Sequence, residues 1–273
     1  MIETIAHPTD FSEASAGAFA HALRIALATR SRLCLMHVKG KGSEEDWSSF
    51  PHVREVLARW GLMGAGEAQA QIEARLGIRV TKVEIEHKEP ILGLLEFILT
   101  HRPDLMVLAT HGRDGLSRWL SGSVSEEVAR RTHVPSLFIG PEARGFVDEA
   151  SGEMHLQRIL VPVAHTPSPR RALNALADLL APLEVTPAVF RLLHVGDEAP
   201  EIAPPPGGGQ QAAVELAQGP IVETILEAAR ESGADMIAMP TAGHQGFLDV
   251  LRGSTTERVL RQAPCPLLAL PAV

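Results

Sequence analysis

Short apolar runs alternate with longer amphipathic stretches along the chain. IAHP at 5–8, LMHV at 35–38, LMVLA at 105–109, ILVP at 159–162, LLHV at 192–195 and MIAMP at 236–240 are runs of strand length, and several lack polar alternation. Continuous apolar runs of this kind suit strands buried on both faces of a parallel sheet. Between them lie alanine- and leucine-rich stretches of helical length, such as 12–29 and 169–181. Strands that alternate with helices predict βαβ units, and hence a parallel sheet with helices on both faces.

The order of elements occurs twice. A Pro-terminated strand comes first in each copy, at 5–8 and 159–162, followed by a helix and then by LMHV or LLHV. Pro90 and Pro220 each open a further helix. Asp104, Gly112 and Gly122-Ser123 have counterparts in Asp235, Gly243 and Gly253-Ser254. Each copy closes on a Pro-flanked apolar strand, VPSLFIGP and CPLLALP. The repeat predicts a domain over 1–140, a polar linker over 141–155 and a second domain over 156–273. The copies differ between the HV pair and the helix-opening proline. Segment 39–89 contains two stretches that read as helix, whereas 196–219 contains APPPGGGQQ, which cannot sustain helical hydrogen bonds. The second domain is therefore expected to lack a helix, with 197–213 irregular.

Composition narrows the function. At 273 residues the chain is long enough for two cores. A hydrophobic fraction of 45% with 21% charged residues is that of a soluble globular protein. The net charge of -8 opposes broad binding to nucleic acid or anionic membrane, so any phosphate site must be local. MIETIAHPTDF offers no basic run leading into an apolar one, and no apolar run reaches membrane-spanning length, so a cytoplasmic location is expected. Cys34 and Cys265 lie in apolar runs and read as core thiols. The 12 histidines show no metal-ligand spacing. Trp47, Trp60 and Trp119 read as packing residues, although Trp119 lies in a glycine loop and could mark a partner surface.

Ligands of open α/β sheets bind beyond the carboxyl ends of the strands. In the first copy this places Pro8, Thr9, Asp10, Val38 and the run from Ala109 to Gly112 in view. Asp10 taken alone is a helix cap or turn residue. After Gly112 come nine residues, then Gly122-Ser123, and Ser123-Val-Ser-Glu126 reads as a capping box. Glycines at both ends of a loop, next to free N–H groups at a helix start, can hold a phosphate. The same residues also describe no more than a capped helix after a glycine loop. No Walker loop, nucleophile elbow or GxGxxG after the first strand is present.

PTDFSEAS at 8–15, LMHV at 35–38, and ATHG-x9-GS at 109–123 followed by EEVARRTHVPSLF resemble the hallmarks of the universal stress protein family, over nearly the whole chain and in two copies. The resemblance implies two doubly wound, five-stranded α/β domains. These would pack as an internal pseudo-dimer with 136–140 beside 267–271, a pairing that also covers two strand edges. A further homodimer is compatible with it. It implies an adenine nucleotide, ATP or alternatively ADP or AMP, with room for Mg2+ beside it, and protein partners of unnamed kind in stress signalling. The activity would be at most slow ATP hydrolysis, and the family also includes nucleotide-free interaction modules. By the same resemblance Asp10, with Pro8 and Thr9 beside it, would contact adenosine. The backbone at Val38 would read the adenine edge. Ala109, His111, Gly112, Gly122, Ser123, Val124 and Ser125 would hold the phosphates. Ala109 stands where the family signature begins with glycine. In the second copy Ala164 replaces the acid and Pro240 the first glycine, so binding is expected in the first half alone.

Overall fold

The structure is a computed structural model that describes residues 2–39, 47–64, 67, 69–110, 128–129, 131–166, 168–183, 189–202, 213–241 and 255–271. The chain divides into two compact units, one of residues 2–134 with 147–154, the other of 135–146 with 155–273.

In the first unit, strand β1 (Thr4–Pro8) leads into helix α1 (Glu13–Thr29) and strand β2 (Arg32–Lys39). A 3-10 turn (Trp47–Ser49) and helices α2 (Val53–Arg59) and α3 (Gln69–Leu76) precede strand β3 (Arg79–Glu86). Helix α4 (Pro90–His101) and strand β4 (Leu105–Ala109) follow. The strands run parallel in the order β3-β2-β1-β4. Helix α1 starts where the Ser12 side chain accepts the Ser15 N–H and stops at Arg30, whose left-handed backbone (φ 53°) returns its N–H to Ala26. Its buried positions include Ala18, Phe19, Ala22, Leu23, Ile25 and Ala26, the stripe that a helix lays on a sheet. Helix α4 has Pro90 at its first turn and ends at Arg102 (φ 44°), just before Pro103.

The second unit repeats the pattern: β6 (Arg158–Pro162), helix α5 (Arg170–Leu180), a 3-10 turn (Ala181–Leu183), β7 (Val189–Val195), β8 (Glu215–Ala217), helix α6 (Ile221–Glu231), β9 (Met236–Thr241), helix α7 (Thr255–Gln262) and β10 (Leu267–Pro271). Its strand order is β5-β10-β9-β6-β7-β8, where β5 is Ser136–Ile139. The expected pairing of the two final strands is present and antiparallel, with Leu267 opposite Phe138 and Leu268 opposite Leu137. The other ladders of this unit are parallel. Both stretches read as helical between β2 and β3 contain helices. Between β7 and β8, residues 196–202 and 213–214 hold no helix, and 203–212 lie outside the described residues.

One carboxylate in each unit ties the third βα unit to the first strand. Asp104 Oδ2 accepts the N–H groups of Glu3 (2.8 Å) and Thr4 (2.9 Å). Asp235 Oδ2 accepts those of Gln157 (2.9 Å) and Arg158 (2.8 Å). The main chain joins in, through Asp104 N–H to Thr4 and Asp235 N–H to Arg158. Asp235 is buried and also accepts from Arg144 at 2.7 Å, whereas Asp104 is exposed.

Residues 147–154 form a closed turn on the first unit. Val147 bridges Met154, and Asp148 Oδ1 accepts the N–H groups of Ala150 and Ser151. Trp60 donates its indole N–H to the Glu149 carbonyl (3.0 Å) and packs against Gly152, where an added Cβ would fall 2.4 Å from the ring. His21 completes the seat: its Nδ1 donates to the Gly17 carbonyl (2.8 Å) and its Nε2 accepts the Val147 N–H (3.3 Å). That pattern fits the neutral imidazole, and burial pushes the His21 pKa down to about 4. His7, fully buried in β1, is pushed down to about 4 by the same desolvation, against weaker opposing pulls from the Val107 carbonyl, Asp10 and the Ser15 backbone. Burial raises the Cys34 and Cys265 thiols to about 11 and about 12, as expected of core cysteines.

Two outcomes follow from these contacts. Asp235→Ala removes a buried carboxylate and leaves two part-buried main-chain donors unmatched, lowering unfolding free energy by ~3 kcal/mol, against ~1 kcal/mol for Asp104→Ala, measured by chemical denaturation. The histidines set an acid limit. Both have folded pKa values below the unfolded value of 6.5, so their stabilisation is complete above pH 6.5 and is lost as pH falls towards 4. Each contributes ~3 kcal/mol across that window. His7→Phe should flatten the slope of unfolding free energy against pH between 6.5 and 4 by about one proton, whatever it does to absolute stability.

Candidate functional site

Strands β2, β1 and β4 lie side by side, so their carboxyl ends bring Val38, Pro8 to Asp10, and Ala109 to one edge of the sheet. Two hydrogen bonds fix the first of the loops there. Thr9 donates its N–H to the Met36 carbonyl (2.8 Å), and His37 Nδ1 donates to the Thr9 carbonyl (2.9 Å). The second unit repeats both, with Val163 N–H to Leu193 (2.8 Å) and His194 Nδ1 to Val163 (2.9 Å). The repeated His-Val pair is thus a structural pin: a carbonyl acceptor at Nδ1 fixes the tautomer and ties the first strand's exit to the second strand.

The loop after β1 is built from its own short side chains. Thr9 is buried and its Oγ1 accepts the Phe11 N–H (3.0 Å). Asp10, half-buried, accepts the Ser12 N–H (3.1 Å) and the Ser15 hydroxyl (2.7 Å) at Oδ1. The helix cap is therefore Ser12, and Asp10 holds the turn ahead of it. Phe11 has φ 61°, a conformation that bulky residues rarely adopt. His7 Nδ1 donates to the Val107 carbonyl (2.8 Å), fastening β1 to β4 beneath the loop.

Pro8 and Val38 are half-buried, the latter opposite Ile85 of β3, and Ala109 is half-buried at the end of β4. His111, Gly112, Gly122, Ser123, Val124 and Ser125 lie outside the described residues. So do Arg113, Arg118 and Trp119.

An aromatic group beside the loop gave little sign of itself in the sequence. Only 4% of the residues are aromatic, yet several gather here. Phe11 stacks on His37 (centroids 4.1 Å, 27° between planes) and lies near-perpendicular to Trp47 (centroids 5.2 Å, 73°). Phe50 lies 5.9 Å from Phe11 and 4.9 Å from Phe19. The Lys82 ammonium sits 5.0 Å from the Trp47 ring centre, and burial lowers its pKa. The available signal was a cluster of rings in WSSF, too short to show a period.

The second unit differs at the matching edge. Ala164 and His165 are exposed, and His165 donates from Nε2 to the Glu198 carbonyl (2.9 Å) while meeting His194 edge-on at 5.3 Å. Pro240 lies within β9 opposite Leu270. Gly243, Gly253 and Ser254 are outside the described residues. Among the described residues no three His, Cys, Asp or Glu side chains converge as metal ligands. No described helix is long and apolar enough to cross a membrane.

The comparisons with known proteins agree with this architecture. A universal stress protein of Methanocaldococcus jannaschii is 28% identical over 145 residues, which is 51% of this chain and 82% of that protein. One of Thermus aquaticus is 31% identical over 122 residues, 45% of this chain and 83% of that protein. The crystal structure of a universal stress protein from Archaeoglobus fulgidus matches 98% of this chain and 96% of its own, with a TM-score of 0.63 at 18% identity, a likeness of fold. The family model for universal stress proteins matches residues 1–140 and 201–271, and with the α/β order seen in both units the chain belongs to the universal stress protein family.

Proposed function

We propose that the first unit binds one adenine nucleotide per chain, ATP foremost, at the edge formed by Pro8 to Asp10, Val38 and Ala109, and that its occupancy is read by protein partners in a cytoplasmic stress response. Phosphates would be held by His111, Gly112, Gly122, Ser123, Val124 and Ser125, with Mg2+ accompanying them. The observation that carries this reading is the contrast between the units. The His37 pin and a half-buried Asp10 stand at one edge. At the other the pin persists, but Ala164 is exposed and Pro240 offers no N–H. A carboxylate can accept a hydrogen bond from a ribose hydroxyl or an adenine amine, and an alanine methyl cannot.

Calorimetric titration with ATP tests the reading. The expected stoichiometry is near one per chain. Asp10→Ala should weaken binding by about ten- to a hundredfold, the effect of removing a charged hydrogen-bond acceptor. Gly253→Val should leave it unchanged. A stoichiometry near two, or sensitivity to Gly253→Val with indifference to Asp10→Ala, would assign the site to the wrong unit, and no heat at all would refute nucleotide binding.

A further inference from the structure

Phe11 is the largest of the described non-glycine residues with a left-handed backbone; the others are arginines and a histidine, two of them closing helices. A large side chain stays in such a conformation only when its surroundings hold it there, and positions of this kind gather at functional sites. The surroundings here can be named. The Phe11 ring lies flat on His37, with the ring centres of Trp47 at 5.2 Å and Phe50 at 5.9 Å, and the residue is buried. His37 is held in turn by its bond to Thr9. Trp47 is the outermost member, half-buried on its short 3-10 turn and covered by the Lys82 ammonium.

The turn this cage holds is the one that carries Asp10. With Phe11 at φ 61° the chain doubles back, so that the Ser12 N–H and the Ser15 hydroxyl both reach Asp10 Oδ1. If Phe11 relaxed to negative φ, the Ser12 N–H would swing away and the carboxylate would lose its orientation. The second unit supplies the comparison. His165 takes the place of Phe11, is exposed, and is not among the described residues with positive φ. The residue before it is Ala164, with no carboxylate to aim. The strained turn and the acid occur together or not at all.

We propose that Trp47 is a positioning residue for the adenosine half of the nucleotide: by closing the aromatic cage on Phe11, it holds the left-handed turn that orients Asp10. This rests on the reading of Asp10 as an adenosine contact. It extends the site to a 3-10 turn well away in sequence, and it makes Trp47 a determinant of base-and-ribose recognition as distinct from phosphate recognition.

The test uses the full chain with Trp47→Ala and Trp47→Phe. In nucleotide-free protein, amide exchange at Ser12 should quicken about tenfold or more in Trp47→Ala and stay near wild type in Trp47→Phe, which keeps a ring. In titrations, Trp47→Ala should weaken ATP about tenfold while leaving tripolyphosphate, which lacks adenosine, unchanged. Trp47→Leu, which keeps most of the apolar volume, should show the same split and serves if the alanine variant does not fold. Wild-type exchange at Ser12 in the alanine and leucine variants would overturn the proposal, as would equal weakening of ATP and tripolyphosphate, the mark of a merely structural loss. If the wild-type chain binds no ATP, the nucleotide reading falls, and Ser12 exchange alone still decides whether Trp47 holds the turn.

Discussion

The hydrogen bond from His37 Nδ1 to the Thr9 carbonyl lies just where the ladder between β1 and β2 gives out, beside the Thr9 N–H bonded to Met36. A parallel ladder normally releases the chain at its end, and the loop beyond is free to choose its path. Here a side chain continues the pairing by one more residue. The imidazole is buried and its donor is committed to main chain, so the loop starts from a fixed point. Thr9, Asp10, Phe11 and the Ser12 cap of α1 all follow from that point, and the same bond from His194 to Val163 makes it a property of both units.

From this shared frame the units diverge through a few side chains. In the first, the loop turns inward: Phe11 buries its ring among His37, Trp47 and Phe50, and the burial offsets a backbone strain of about 1–3 kcal/mol. In the second, Ala164 and His165 face water and the strand end at Pro240 lacks a donor. The pin and the carboxylate tie at Asp104 or Asp235 are kept in both because the sheet needs them. Among the described residues the acid and its cage occur in the first unit.

Buried neutral histidines give the first unit a dependence on pH that its net charge would not suggest. His7 and His21 spend their Nδ1 protons on main-chain carbonyls, and His21 uses its other nitrogen to seat the 147–154 turn. A second proton on either would meet a dry interior, and at His21 it would also face the Val147 donor. The polar composition of 141–155 suggested a linker. Its part from 147 to 154 is a closed turn, because Asp148 satisfies the N–H groups of Ala150 and Ser151 and Gly152 admits the Trp60 ring.

The sequence by itself determined the α/β class, the twofold repeat, the helices between β2 and β3, and the strand ends on which Asp10, Val38 and Ala109 lie. Those features are local: apolar runs of strand length, Pro and Gly as punctuation, and a motif order that recurs. The equivalence of Asp104 and Asp235 was also legible, because both copies keep the residue in register, although its task of holding the first strand was not. Only the tertiary structure decided that Ser12 and not Asp10 caps α1, that the repeated histidines are pins, and that Phe11 adopts positive φ inside a cage. The physical reason is sequence distance. The cage joins Phe11 to His37, Trp47 and Phe50, and contacts between residues that far apart leave no periodic trace in the chain; they exist only once the sheet has brought β1 and β2 together.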